Sequence, residues 1–110
     1  MVLDDLKKIG YRVNEIVVRE RSLLGEEVTR RSIVAENRIA MLRVSELGGG
    51  RYKLAVVVDS DFKEILENEG LDVDEITDDT VIGTASFRSL SEAVSKMRTL
   101  AFKLALKNGD

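Results

Sequence analysis

Two carboxylates at the end of an apolar run are the residues best placed for chemistry in this chain. Val56-Val-Val-Asp59-Ser-Asp61 puts a D-x-D pair at the tip of a hydrophobic strand, with Asp78-Asp79 further on. Paired carboxylates of this kind hold a hard cation such as Mg²⁺ through oxygen alone. Any catalysis must rest on carboxylates, Lys, Arg, Tyr or hydroxyls, or on such a cation, because the chain contains no Cys, His, Pro, Trp or Gln. Without Cys and His there is no zinc finger, iron–sulfur cluster, thiol nucleophile or disulfide. The Ser-His-Asp and Cys-His hydrolases are excluded as well, and so is the ordinary neutral-pH general base.

The six residues 56–61 resemble the first motif of the haloacid-dehalogenase phosphotransferases, a hydrophobic strand followed by D-x-D. That resemblance implies a Mg²⁺-dependent phosphoryl transfer with Asp59 and Asp61 at the metal. The family places Thr or Val two positions after the second Asp, where this chain has Lys63. It also uses a parallel α/β domain longer than 110 residues and different in strand order. The competing reading makes Asp61 the N-cap of a helix and Asp59 a turn residue, and it is preferred. Asp72-Val-Asp74-Glu-Ile-Thr-Asp78-Asp79 has the acid density of a calcium loop. An EF-hand needs an oxygen ligand at its fifth position and Gly at its sixth, which are Ile76 and Thr77 here. Gly48-Gly49-Gly50 leads into a strand rather than a helix, so it reads as a hairpin turn and not a phosphate loop.

Arg51-Tyr52-Lys53, with Arg19, Arg21, Arg30, Arg31, Arg38 and Arg43, raises single-stranded nucleic acid as a partner, since an aromatic between cations on a sheet serves base stacking. Against it stand the two tyrosines in all, the interleaved glutamates and a net charge of −3. Charge is unevenly spread: residues 59–79 hold ten acids and one lysine, whereas residues 12–53 hold nine Arg or Lys and six acids. Unlike charges apportioned this way serve solubility first and docking second.

The elements that must position these residues follow from periodicity. Residues 2–9 read as a short helix with Leu3, Leu6 and Ile9 three apart and Gly10 closing it. Residues 11–21 read as a strand with a bulge near Asn14-Glu15, because Tyr11 and Val13 have one parity and Ile16 and Val18 the other. Leu23-Leu24-Gly25-Glu26 turns into a second strand at 28–35. Residues 30–47 could form a helix, but a hairpin through the triglycine explains more. If Leu47 opposes Arg51, then Val44 meets Leu54, Leu42 meets Val56 and Ala40 meets Val58, all on one face. Asp61-Phe-Lys-Glu64 has capping-box spacing and opens a helix that Gly70 ends. Residues 71–79 read as a loop and 80–87 as a strand. Ser89-Leu-Ser-Glu92 is an S-x-x-E capping box before the long apolar face Leu90, Ala93, Val94, Met97, Leu100, Ala101, Leu104 and Ala105, closed by Asn108-Gly109.

The expected class is therefore α+β: a mainly antiparallel sheet of four to five strands with the C-terminal helix on one face, in the order α-β-β-β-β-α-β-α. With 44% apolar and 34% charged residues in 110, the chain suits one domain. Its longest apolar run, residues 54–58, is far short of the roughly 18 residues a membrane span requires. An acidic start without a basic n-region or apolar h-region points to a cytoplasmic protein. Abundant Glu, Arg and Lys beside absent Cys and Gln match a heat-adapted composition.

Both sheet faces carry apolar residues. Leu42, Val44, Leu54, Val56 and Val58 are expected under the C-terminal helix, and Met41, Val57, Ile39 and Ala55 on the other side. The short helices or a second subunit must cover that other side. The leading expectation is a non-catalytic binding or assembly module that forms a homo-oligomer or joins a protein partner, with no cofactor and no membrane. A nucleic-acid accessory protein using Arg51, Tyr52 and Lys53 ranks second, and a Mg²⁺-dependent phosphoryl-transfer enzyme on Asp59 and Asp61 third.

Overall fold

Val44 lies opposite Leu54, Leu42 opposite Val56 and Ala40 opposite Val58, so residues 40–58 form a hairpin and not a helix. In the computed structural model, which describes residues 3–108, this hairpin is the centre of one antiparallel sheet. The elements run α1 (Asp4–Lys8), β1 (Arg12–Arg21), β2 (Glu27–Glu36), β3 (Ala40–Gly48) and β4 (Arg51–Asp59). A 3-10 turn (Ser60–Phe62) then leads to α2 (Lys63–Asn68), β5 (Asp72–Glu75), β6 (Thr80–Phe87) and α3 (Leu90–Asn108). The spatial order is β1-β2-β3-β4-β6-β5. The class is α+β, with six strands instead of four to five. Val2 and Gly109, read above as part of a helix and as a helix stop, lie outside the described residues.

The additional strand is β5, inside the acidic stretch read as a loop. It pairs with β6 at the sheet edge, with Val73 opposite Gly83 and Asp74 opposite Ile82. Alternation over four residues, with three acids among them, leaves almost no apolar signal. On an edge those acids stay in water and discourage another strand from adding.

The bulge expected near Asn14-Glu15 is absent, since β1 pairs with β2 without interruption from Arg12↔Glu36 to Arg21↔Glu27. Apolar residues of both parities occur because the outer part of this hairpin is covered on neither face. The irregularity sits instead between Glu46 and Gly48, where Leu47 is bulged and Gly48, not Leu47, opposes Arg51. Gly48, Gly49 and Gly50 have φ of 87°, 64° and 73°. Three successive left-handed residues are open only to glycine at low cost, which accounts for the triplet.

The core lies between the sheet and α3. Leu42, Val44, Leu54, Val56 and Val81 meet Ala93, Met97, Leu100, Ala101 and Leu104, and every one of them is buried. Burying each large side chain stabilises the fold by about 1.5–3 kcal/mol. The start of α3 follows its capping box, with Ser89 Oγ accepting the Glu92 N–H at 3.1 Å.

Both short helices pack on this same face. Leu3 and Leu6 of the α1 region and Leu66 of α2 belong to the single core cluster. Arg98 of α3 pairs with Asp5, and its guanidinium holds that carboxyl below the usual range. Glu69, just after α2, takes Lys103 at 3.1 Å and Lys96 at 3.9 Å. Tyr11 crosses beneath, its hydroxyl donating to the Ala101 carbonyl at 2.8 Å; burial pushes its pKa up to about 12. Of the two covers expected for the second sheet face, short helices or a second subunit, the short helices are ruled out, because all three described helices pack on one apolar face. Ile39 is corrected too: it lies in the β2–β3 turn and packs against the core edge.

Candidate interaction surface

The helix-free face of the sheet has no covering layer among the described residues, and the strand register states its content. The first row across β1, β2, β3, β4, β6 and β5 reads Arg12, Glu36, Met41, Val57, Ile82, Asp74. The next row reads Asn14, Val34, Arg43, Ala55, Thr84, Asp72, and the third Ile16, Ser32, Ser45, Lys53, Ser86. The lower half is therefore apolar between charged rims, and the upper half is basic and rich in hydroxyls. Arg43 Nη2 donates to Ser32 Oγ at 3.2 Å, and Ser32 Oγ lies 3.3 Å from Ser45 Oγ. Met41 is 41% exposed although it is a neighbour in sequence of the fully buried Leu42.

Period two also separates the Arg51-Tyr52-Lys53 triplet. Arg51 and Lys53 point to the helix-free face, whereas Tyr52 faces the helices and packs against the core. Among the described residues no aromatic shares that face with the cations, since Tyr11 is buried and Phe62, Phe87 and Phe102 pack against the core. Arg43, one strand from Arg30 and one from Lys53, completes the basic patch.

Asp59 and Asp61 have a local structural task. Asp59 Oδ1 accepts the Asp61 N–H at 2.9 Å and caps the 3-10 turn, so Asp59 and not Asp61 is the capping residue. The helix α2 itself starts after Phe62 without a side-chain cap. Asp79 is near through its backbone, its carbonyl accepting the Ser60 N–H at 2.7 Å. Arg38 and Lys107 line the same open depression as the two aspartates, and Lys107 Nζ donates to the Asp61 carbonyl at 3.0 Å. The positive charge of these two side chains opposes that of a divalent ion in the same depression. Among the described residues no three acids converge as a metal set.

Two further features had only a faint trace in the sequence. Pairing between β2 and β3 ends at Ser32↔Ser45, so the rest of β1 and β2 projects as a two-stranded arm. At its tip Leu23 and Leu24 are fully exposed. The signal was a Leu-Leu pair directly before Gly25, an unusual composition for a turn. At the base of the arm, on the helix side, lies a hollow of ≈ 390 Å³ floored by Ile33 and Val44 and walled by Glu15, Tyr52 and Leu90. Leu90, expected in the apolar face of α3, is thus an exposed wall of this hollow.

No family model, curated protein or solved structure matches the chain. No described helix is long and apolar enough to cross a membrane.

Proposed function

We propose that the protein is a non-catalytic assembly module that self-associates through the helix-free face of its sheet. One observation carries this reading: all three helices pack on one side, leaving Met41, Val57, Ile82, Val34 and Ala55 without a covering layer. Six strands of this length present a face of about 700 Å², close to the ~800 Å² per partner of a stable interface.

The register favours one geometry. A two-fold axis parallel to the strands reverses strand order between the copies, so that Met41 meets Val57, and Arg12 at one rim meets Asp74 at the other. An axis across the strands would instead stack Arg43 on Arg43 if it ran through the second row, and Arg12 on Arg12 and Glu36 on Glu36 if it ran through the first. The first arrangement brings apolar groups together and opposite charges to the rims, as isologous interfaces with polar edges do. Light scattering should give an assembly in the wild type, and Met41→Glu should halve its mass while leaving the circular dichroism spectrum unchanged. An unaltered mass in Met41→Glu, or a strictly monomeric wild type, would remove this reading.

A second reading has its own observation. Arg43, Arg51 and Lys53 share the upper half of the face with Ser45, Thr84 and Ser86, a composition that suits phosphate oxygens. Without an aromatic neighbour, such a surface holds the backbone of a nucleic acid and not its bases. Anisotropy with a labelled single-stranded RNA should then show binding that weakens about tenfold or more between 50 and 200 mM salt, and that Arg51→Ala with Lys53→Ala removes. Salt-independent binding, or none, would eliminate it.

A further inference from the structure

We propose that the β1–β2 arm clasps the arm of a second copy through its helix-side face, an interface separate from the helix-free face. The arm is built from the strand residues that have no third neighbour, and it contributes to a long axis of 51 Å against a short one of 22 Å. A two-stranded ribbon alone in water is marginally stable, and this one exposes Leu23 and Leu24 at its tip and Val17 on its helix side. An apolar tip on a marginal ribbon calls for a surface to lie on.

The arm's own charge order points to itself as that surface. On the helix side β1 presents Glu15, Val17, Arg19 and Arg21 in turn. A two-fold axis through the Val18↔Arg30 pair sets Arg21 of each copy over Glu15 of the other, and Arg19 over Val17. The same operation carries the Leu23-Leu24 tip to the base of the second arm. There the ≈ 390 Å³ hollow and a second of ≈ 170 Å³ beside Leu3 and Val13 share Glu15 and Ile33 as lining. The leucines thus reach hollows in which Ile33, Val44 and Leu90 stand beside Glu15, Arg31 and Glu46, Arg21 meets an acid, and no two like charges face each other directly. Glu15 is spare enough to take part: its contact with Arg31 is 4.0 Å long and both side chains are exposed.

The test is made in the Met41→Glu background, which disables the helix-free face, with light scattering in the submillimolar range. A dimer is expected. Arg21→Glu or Glu15→Arg should raise its dissociation constant about tenfold or more, and the two together should return it to within about twofold of the background. Leu23→Ser with Leu24→Ser should yield monomer. A monomeric background with an intact arm overturns the clasp, as does a dimer indifferent to these substitutions or a swap without rescue. If Met41→Glu leaves the wild-type mass unchanged while the arm variants reduce it, the clasp stands and the helix-free face is not an interface.

Discussion

Leu42→Ala should lower the unfolding free energy by about 3–4 kcal/mol, whereas Met41→Ala should cost under about 1 kcal/mol in the isolated monomer. The two residues are adjacent, equal in apolar character and opposite in direction. Leu42 is fully buried between Ala35 and Val56 of the neighbouring strands, beneath α3. Its truncation removes transfer free energy and leaves a cavity that a six-stranded sheet can close only in part. For a domain with about 5–15 kcal/mol in total, that is a large share. Urea melts should show the midpoint falling at constant slope. Under the proposed self-association the loss for Met41→Ala should grow with protein concentration, because a second copy is what would cover Met41. A large, concentration-independent loss at Met41 would show that the face is already covered within one chain.

Gly83→Val should destabilise by about 3 kcal/mol and Gly83→Ala by about 1 kcal/mol. The cause is space and not backbone conformation, since Gly83 is an ordinary strand residue opposite Val56 and Val73. A Cβ there would lie 2.9 Å from Leu66 Cδ1 and from Leu71 Cδ2, and 3.3 Å from Leu71 Cβ. The two δ-methyls can turn aside for a single methyl, but Leu71 Cβ is fixed to the backbone and cannot. Valine adds two more carbons at the point where α2 and the start of β5 approach the sheet. Hydrogen exchange should accordingly quicken across 66–75 before the rest of the sheet responds. Equal protection in Gly83→Val and wild type would mean that α2 does not rest on this position.

Much of the fold was legible because local patterns and long-range partners agreed. The S-x-x-E box and broad apolar face of 90–105 could only be a helix packed on a core. The 40–58 hairpin followed from period two, since each apolar residue found an apolar partner across the turn. The bulge at Leu47 moved the turn by one residue without disturbing that register. Legibility failed where solvent removed the pattern. β5 carries acids on an edge, and the parities of β1 mix because its outer part has no buried side. The candidate surface was legible in the same proportion: Met41, Val57 and Ala55 were placed on the second face, while Val34, Ile82 and the tip leucines were not.

The sequence by itself determined which chemistry is open to the chain. With no Cys and no His, catalysis would have to rest on carboxylates, Lys, Arg, Tyr or hydroxyls, and no folding can alter that. It also determined which side of each central strand is apolar, because alternation is a property of neighbours along the chain. Where three helices would go was decided in three dimensions. Leu6 of α1, Leu66 of α2 and Ala93, Met97, Leu100, Ala101 and Leu104 of α3 all enter one core cluster, which takes their apolar surface out of water together. The helices therefore gathered on one face. The same choice left Met41 and its row open, sent Tyr52 away from Arg51 and Lys53, and exposed both sides of the β1–β2 arm.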